Sequence, residues 1–286
     1  MKGAKLKVFL TLYMIVVLVA CFVVGIFQSV ITVNIGIVLL IVFLAALPLT
    51  AGLLKIMLNR EMSKPGAKIH KEFMDELWKN GYTQRFFDLG KQAINQHMYE
   101  TPIDMAYLMD LALYQCDYFN INGMYKDSSF LIGLLDFKEV AAKSTRFIDG
   151  GMYVVMYYSV LMETSRGLGD RATAQRIIDE GKPFLDRKYS QDALSMAADS
   201  TVYNYYMLFG NYEMADKCVQ KLMSYRSVQA DKFFTKYFYA AELSMVSGNK
   251  EMARQILDGA RQKIGYDLPV IRQAFDMYYR RLGLYN

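Results

Sequence analysis

Between Lys7 and Lys55 the chain carries no charged side chain, and this stretch, Val8 to Leu54, restricts its fold more than any other feature. A hydrocarbon core about 30 Å thick takes roughly 20 apolar residues of helix at about 1.5 Å rise each, so the stretch holds two crossings. Backbone groups facing lipid must be paired within their own segment, which makes both crossings helices. The pattern predicts a first span at about 8–27 and a second at about 35–56. Gln28, Ser29, Thr32 and Asn34 collect in the turn between them. Pro48 lies inside the second span, where it is expected to kink or end the helix.

The flanking charges predict the sides. Lys2, Lys5 and Lys7 precede the first span, Lys55, Arg60, Lys64, Lys68 and Lys71 follow the second, and the turn has no cation. By the positive-inside rule both termini are cytoplasmic, giving a multi-pass protein of the bacterial plasma (inner) membrane. The basic run after the second span can also attract anionic lipid headgroups. Leu18-Val19-Ala20-Cys21 has the form of a lipoprotein signal, but the apolar run continues through Phe27 and a second full segment follows, which favours a retained anchor.

The expected division is therefore an anchor at 1–58 and a cytoplasmic domain at 59–286. The anchor inflates the 53% hydrophobic content, and its N-terminal lysines carry three of the net +5 charges. The domain is thus nearly balanced and lacks the concentrated basic face of a nucleic-acid binder. Cys21, Cys116 and Cys218 are odd in number and far apart, as expected of free thiols in the cytoplasm. His70 and His97 are too far apart for a helical metal pair, and HExxH, Walker and GxSxG patterns are absent. Gly167-Leu168-Gly169-Asp170-Arg171-Ala172 fits a dinucleotide fingerprint, but it follows a helical pattern instead of a strand. The expectation is a non-enzyme without cofactor or metal. With no charge inside the membrane, the anchor is not expected to form an ion pathway.

Within the domain, Gly81, Gly123, Gly169, Gly210 and Gly248 recur about every 40 residues, inside the range of repeat architectures. The last three units align without a gap as Gly169-Asp170 with Ala174, Gly210-Asn211 with Ala215, and Gly248-Asn249 with Ala253. Glycine accepts the left-handed conformation that ends one helix, Asp or Asn caps the next, and alanine lets the two approach. Asp267-Leu268-Pro269 opens a final helix expected to cover the open end of the stack. Strand signals are sparse, so the fold class is all-α.

This helix, Gly-Asn/Asp turn, helix pattern resembles the tetratricopeptide repeat family, best over about 150–262 and loosely over 66–140. In the earlier part Phe86 and Ser128 take the alanine positions. The family's Trp is mostly replaced, with Tyr158 and Tyr237 nearest to it, its closing proline is missing, and the units are longer. The resemblance implies an α-α superhelix whose first helices line a concave groove for a peptide or helix. At the matching offsets that groove would include Glu163, Arg166, Asn204, Met207, Phe238, Glu242 and Met245. Mixed charge, an amide and flexible methionines suit an adaptable protein surface. The implied function is a membrane-anchored scaffold or adaptor for a protein partner. The alternative is an accessory subunit of a membrane transport or secretion complex, with the anchor packed against other transmembrane helices.

Overall fold

The computed structural model describes residues 2–26, 35–63, 65–95, 102–134, 150–189, 192–225, 234–264 and 267–285. Among these residues the chain is all-helical, with 13 helices and no strand. Helices α1 (Lys2–Ile26) and α2 (Ile35–Met62) pack against each other, and the Tyr13 hydroxyl donates to the Phe43 carbonyl at 3.2 Å. Val8, Val17 and Ala46 are buried, while Leu18, Phe22, Leu40, Leu44 and Ile56 are exposed. This apolar exterior would be unfavourable in water and is what a helix in lipid presents. Thr50 is also buried, and its hydroxyl donates to the Ala46 carbonyl one turn back at 2.7 Å, so it brings no unpaired polar group into the segment.

Leu40–Arg60 of α2 is long and apolar enough to cross a membrane, whereas the apolar part of α1, Val8–Val24, is shorter. α2 does not end at Pro48 but continues to Met62. A proline removes one backbone donor, and the remaining bonds of a long apolar helix carry it past the gap. The expected turn residues Gln28, Ser29, Thr32 and Asn34 lie outside the described residues, as do Lys64 and His97.

From Pro65 onward the chain forms helix pairs. These are α3 (Pro65–Asn80) with α4 (Gln84–Asn95), α5 (Pro102–Ile121) with α6 (Tyr125–Gly133), and α7 (Gly150–Leu168) with α8 (Arg171–Leu185). They continue as α9 (Asp192–Phe209) with α10 (Tyr212–Ser224) and α11 (Thr235–Val246) with α12 (Lys250–Lys263), followed by α13 (Pro269–Arg281). The first helices α3, α5, α7 and α9 pack on one another in succession, and the Tyr203 and Tyr239 rings, 4.4 Å apart, join α9 to α11. Ring contacts of His70 with Tyr107 and of Phe73 with Tyr114 ascend both helices together, and Tyr82, just past the end of α3, meets Tyr118, so α3 and α5 run parallel. Successive first helices are thus in contact from α3 to α11.

The turns are built locally. Gly169, Gly210 and Gly248 have φ of 69°, 74° and 76°, where a side chain would be strained. The residue after each glycine closes a six-residue loop onto the helix just finished: Asp170 N–H to Ser165 O at 2.8 Å, Asn211 to Tyr206 at 2.9 Å, and Asn249 to Ser244 at 2.8 Å. The side chains of Asp170, Asn211 and Asn249 then accept from the backbone N–H of Thr173, Met214 and Met252, capping the next helix. Ala174, Ala215 and Ala253 are fully buried against the preceding helix, and Phe86 and Ser128 are equally buried in the earlier pairs. Gly167, part of the apparent dinucleotide fingerprint, lies within α7 beneath the Tyr125 ring, which a Cβ there would approach to 2.2 Å. The motif's glycines serve packing and a helix end. Asn211→Ala should cost about 1 kcal/mol and lower the unfolding midpoint of the detergent-solubilised full chain by about 2–4 °C. An unchanged melt followed by circular dichroism would mean that the cap is not made in solution.

Candidate functional site

The last helix does more than cover an open end. It packs on the final pair, where Phe275 meets Phe238 at 5.0 Å between ring centroids, Tyr278 stacks on Phe238 at 3.7 Å, and the Tyr279 hydroxyl donates to Asp258. Its other side contacts α3 and α5 at the start of the array. There Gln273 Oε1 accepts from Tyr82 N–H at 2.7 Å, Asn122 Nδ2 lies 3.1 Å from Met277 Sδ, and Arg281 Nη1 donates to the Asn120 carbonyl at 3.1 Å. Helix α13 thus touches the first helices α3, α5, α7 and α11. Val270, Ile271, Ala274, Phe275, Tyr278 and Tyr279 are all buried, so the helix expected to cover the open end of the stack also meets the first two pairs.

The polar candidates converge on its C-terminal end. Arg166 Nη1 donates to Glu242 Oε2 at 2.7 Å and to Asn204 Oδ1 at 3.0 Å. Arg281 reaches Glu242 at 3.4 Å and Glu163 at 3.7 Å, and its guanidinium lies over the Tyr125 and Tyr278 rings at 5.8 and 5.5 Å. The Tyr203 hydroxyl donates to Glu242 at 3.2 Å. Deeper in, the Thr164 hydroxyl lies 2.8 Å from Ser128 Oγ and donates to Asn120 Oδ1 at 3.0 Å, which links α5, α6 and α7 to the same network. Side-chain exposure falls from 21% at Arg281 to 10% at Glu242, so these ion pairs are largely withdrawn from water.

Burial pushes the Glu163 carboxyl up, against the pull of Arg281. Burial acts on Glu242 in the same sense, but Arg166 and Arg281 together hold it below its ordinary value. Burial disfavours the charge of both arginines, and the surrounding acidic groups outweigh it and raise both. Asp117, on α5, is raised to about 8 by burial and by the charge of Glu163. Two guanidinium groups and two carboxylates therefore neutralise one another.

Of the seven expected groove residues, Glu163, Arg166, Asn204 and Glu242 join this network. Asn204 and Phe238 are fully buried and Met207 is nearly so, while Met245 packs partly buried against the core. The expectation of an open surface is corrected for Asn204, Met207, Phe238 and Glu242, which are buried. Arg281, Tyr203, Asn120 and Tyr125 went unrecognised in the sequence. The available signal was the spacing Phe275, Tyr278, Arg281, which puts all three on one helical face.

Among the described residues no group of three His, Cys, Asp or Glu could hold a metal ion. His70 Nε2 is engaged with Asp110 at 2.9 Å. Cys21, Cys116 and Cys218 are free, and burial pushes the Cys116 and Cys218 thiols to about 12 and 11, away from the reactive thiolate. Lys55, Arg60, Lys68 and Lys71 are exposed where α2 gives way to the array. No known protein family, curated protein or solved structure matches the chain.

Proposed function

We propose that this chain is a membrane-anchored cytoplasmic scaffold that binds a protein partner on the side of the array where its first helices meet. In this reading α1 and α2 cross the bacterial plasma membrane as a hairpin with both termini in the cytoplasm. The tetratricopeptide-like array stands at the inner face, and Lys55, Arg60, Lys64, Lys68 and Lys71 meet anionic headgroups. The exposed apolar exterior of α1 and α2 supports the anchor, and the exposed cations after it support the orientation. The observation that carries the binding role is α13 itself. The first helices already accept an amphipathic helix, through stacked aromatic rings and arginine-carboxylate pairs, which is one of the ways repeat surfaces recognise partners.

Site-specific photo-cross-linking in intact membranes tests the proposal. A photoreactive residue at Met124 or Tyr285, both exposed near the C-terminal end of α13, should yield a discrete protein adduct. Adducts formed only from Phe22 or Leu44 on the anchor would favour the accessory membrane subunit instead, and none at either place would remove both readings. A cysteine reporter placed between 28 and 34 should be labelled from outside cells and one near the C-terminus should not. The reverse pattern would overturn the orientation.

A further inference from the structure

We propose that α13 is a resident occupant of the binding side, and that the partner presents a helix of the same pattern: an aromatic residue, a second one three positions on, and an arginine three beyond that. This rests on the scaffold reading and specifies its partner. The surface under α13 is selective in two ways. Phe238 receives the two rings, Phe275 edge-on at 5.0 Å and Tyr278 face-on at 3.7 Å. At the next turn Glu163, Glu242 and the Asn120 carbonyl receive the guanidinium of Arg281. Without Arg281, Arg166 alone would face two carboxylates, leaving an uncompensated negative charge in a largely buried place. Any occupant must therefore bring a cation, and arginine suits it because its planar fork can reach both carboxylates and the carbonyl together. Asn120 is near the C-terminal end of α5, where the helix dipole also favours a cation.

The tether makes the occupancy regulatory. A segment joined to its own site competes at an effective concentration of about millimolar. A partner helix then binds weakly to the resting chain and tightly once α13 is loosened.

The test uses the full chain in lipid nanodiscs and a fluorescent peptide of residues 267–286, read by anisotropy. Two variants loosen α13. Gln273→Ala with Met277→Ala removes its contacts with Tyr82 and Asn122, and Arg281→Ala removes its ion pairs. The wild-type chain should bind the peptide weakly, the Gln273/Met277 variant at least ten-fold more tightly, and a peptide carrying Arg281→Ala should lose that gain. If the folded variant binds no better than wild type, or binds both peptides equally, the proposal falls. It falls also if both variants unfold by circular dichroism, because α13 is then an inseparable part of the core. A protein adduct at Met124 or Tyr285 persisting through such a failure would leave the scaffold reading standing and remove only the resident helix.

Discussion

Alanine at Arg281 is expected to destabilise the helical array by about 3–5 kcal/mol, the range for removing one partner of a buried ion pair. The side chain is 21% exposed, and its two carboxylate partners, Glu163 and Glu242, are 14% and 10% exposed. Its removal leaves Arg166 alone to balance both acids, strips a donor from the Asn120 carbonyl, and ends the contacts with the Tyr125 and Tyr278 rings. The cost arises mainly from the stranded charge, so restoring neutrality should recover most of it. Arg281→Met with Glu163→Gln leaves a single Arg166–Glu242 pair at 2.7 Å and fills the volume with an apolar chain. Chemical unfolding of the detergent-solubilised full chain should show the single variant far below wild type and the double variant closer to it. A loss under about 1 kcal/mol for Arg281→Ala would show that exposed-pair energetics govern the site and that the network is not sequestered.

What the sequence disclosed and what it hid divide along the range of the interactions. The repeat turns were legible because a left-handed glycine followed by a capping Asn or Asp is decided within about six residues, and Gly169, Gly210 and Gly248 adopt that conformation. The apolar character of Leu40–Arg60, long enough to cross a membrane, was legible for a similar reason, since it is decided by composition over one helix length. The position of α13 was not legible. Its bonds join residues 191 and 161 apart, Gln273 to Tyr82 and Arg281 to Asn120, and no local pattern encodes where an array turns back on its start. Glu163 and Glu242 suffered from the same gap. A carboxylate on a helix face reads as solvated until its counterion arrives from a distant helix, and here Arg281 comes from the end of the chain. Asn204 and Phe238 took their groove assignment from offsets within the repeat, whereas packing among α7, α9, α11 and α13 places them in the interior.

The half-buried acid beside this network, Asp117, yields the second large effect, a stability that falls as pH rises. Asp117 is pushed from its ordinary 3.8 to about 8, first by burial and then by repulsion from Glu163. Below pH of about 4 the carboxyl is protonated in both folded and unfolded chains and contributes nothing to the difference. Between about 4 and 8 the unfolded chain releases the proton while the folded chain retains it, so stability declines across this window. Above about 8 the folded chain must carry the charge and the full penalty is present. Each unit of such a shift corresponds to about 1.4 kcal/mol, and local relaxation reduces the total to the order of a few kcal/mol. An asparagine side chain matches the carboxyl in size and stays neutral throughout, so Asp117→Asn should equal wild type near pH 4. It should gain steadily up to about pH 8 and level off beyond it. Glu163 is raised as well and bends the wild-type profile in the same direction, but it is present in both proteins. The informative quantity is therefore the difference between their denaturant midpoints, multiplied by the slope, at each pH. A difference that is flat across the window, or that favours aspartate at high pH, would mean that Asp117 is already ionised in the folded chain and that water reaches it from the α5 side.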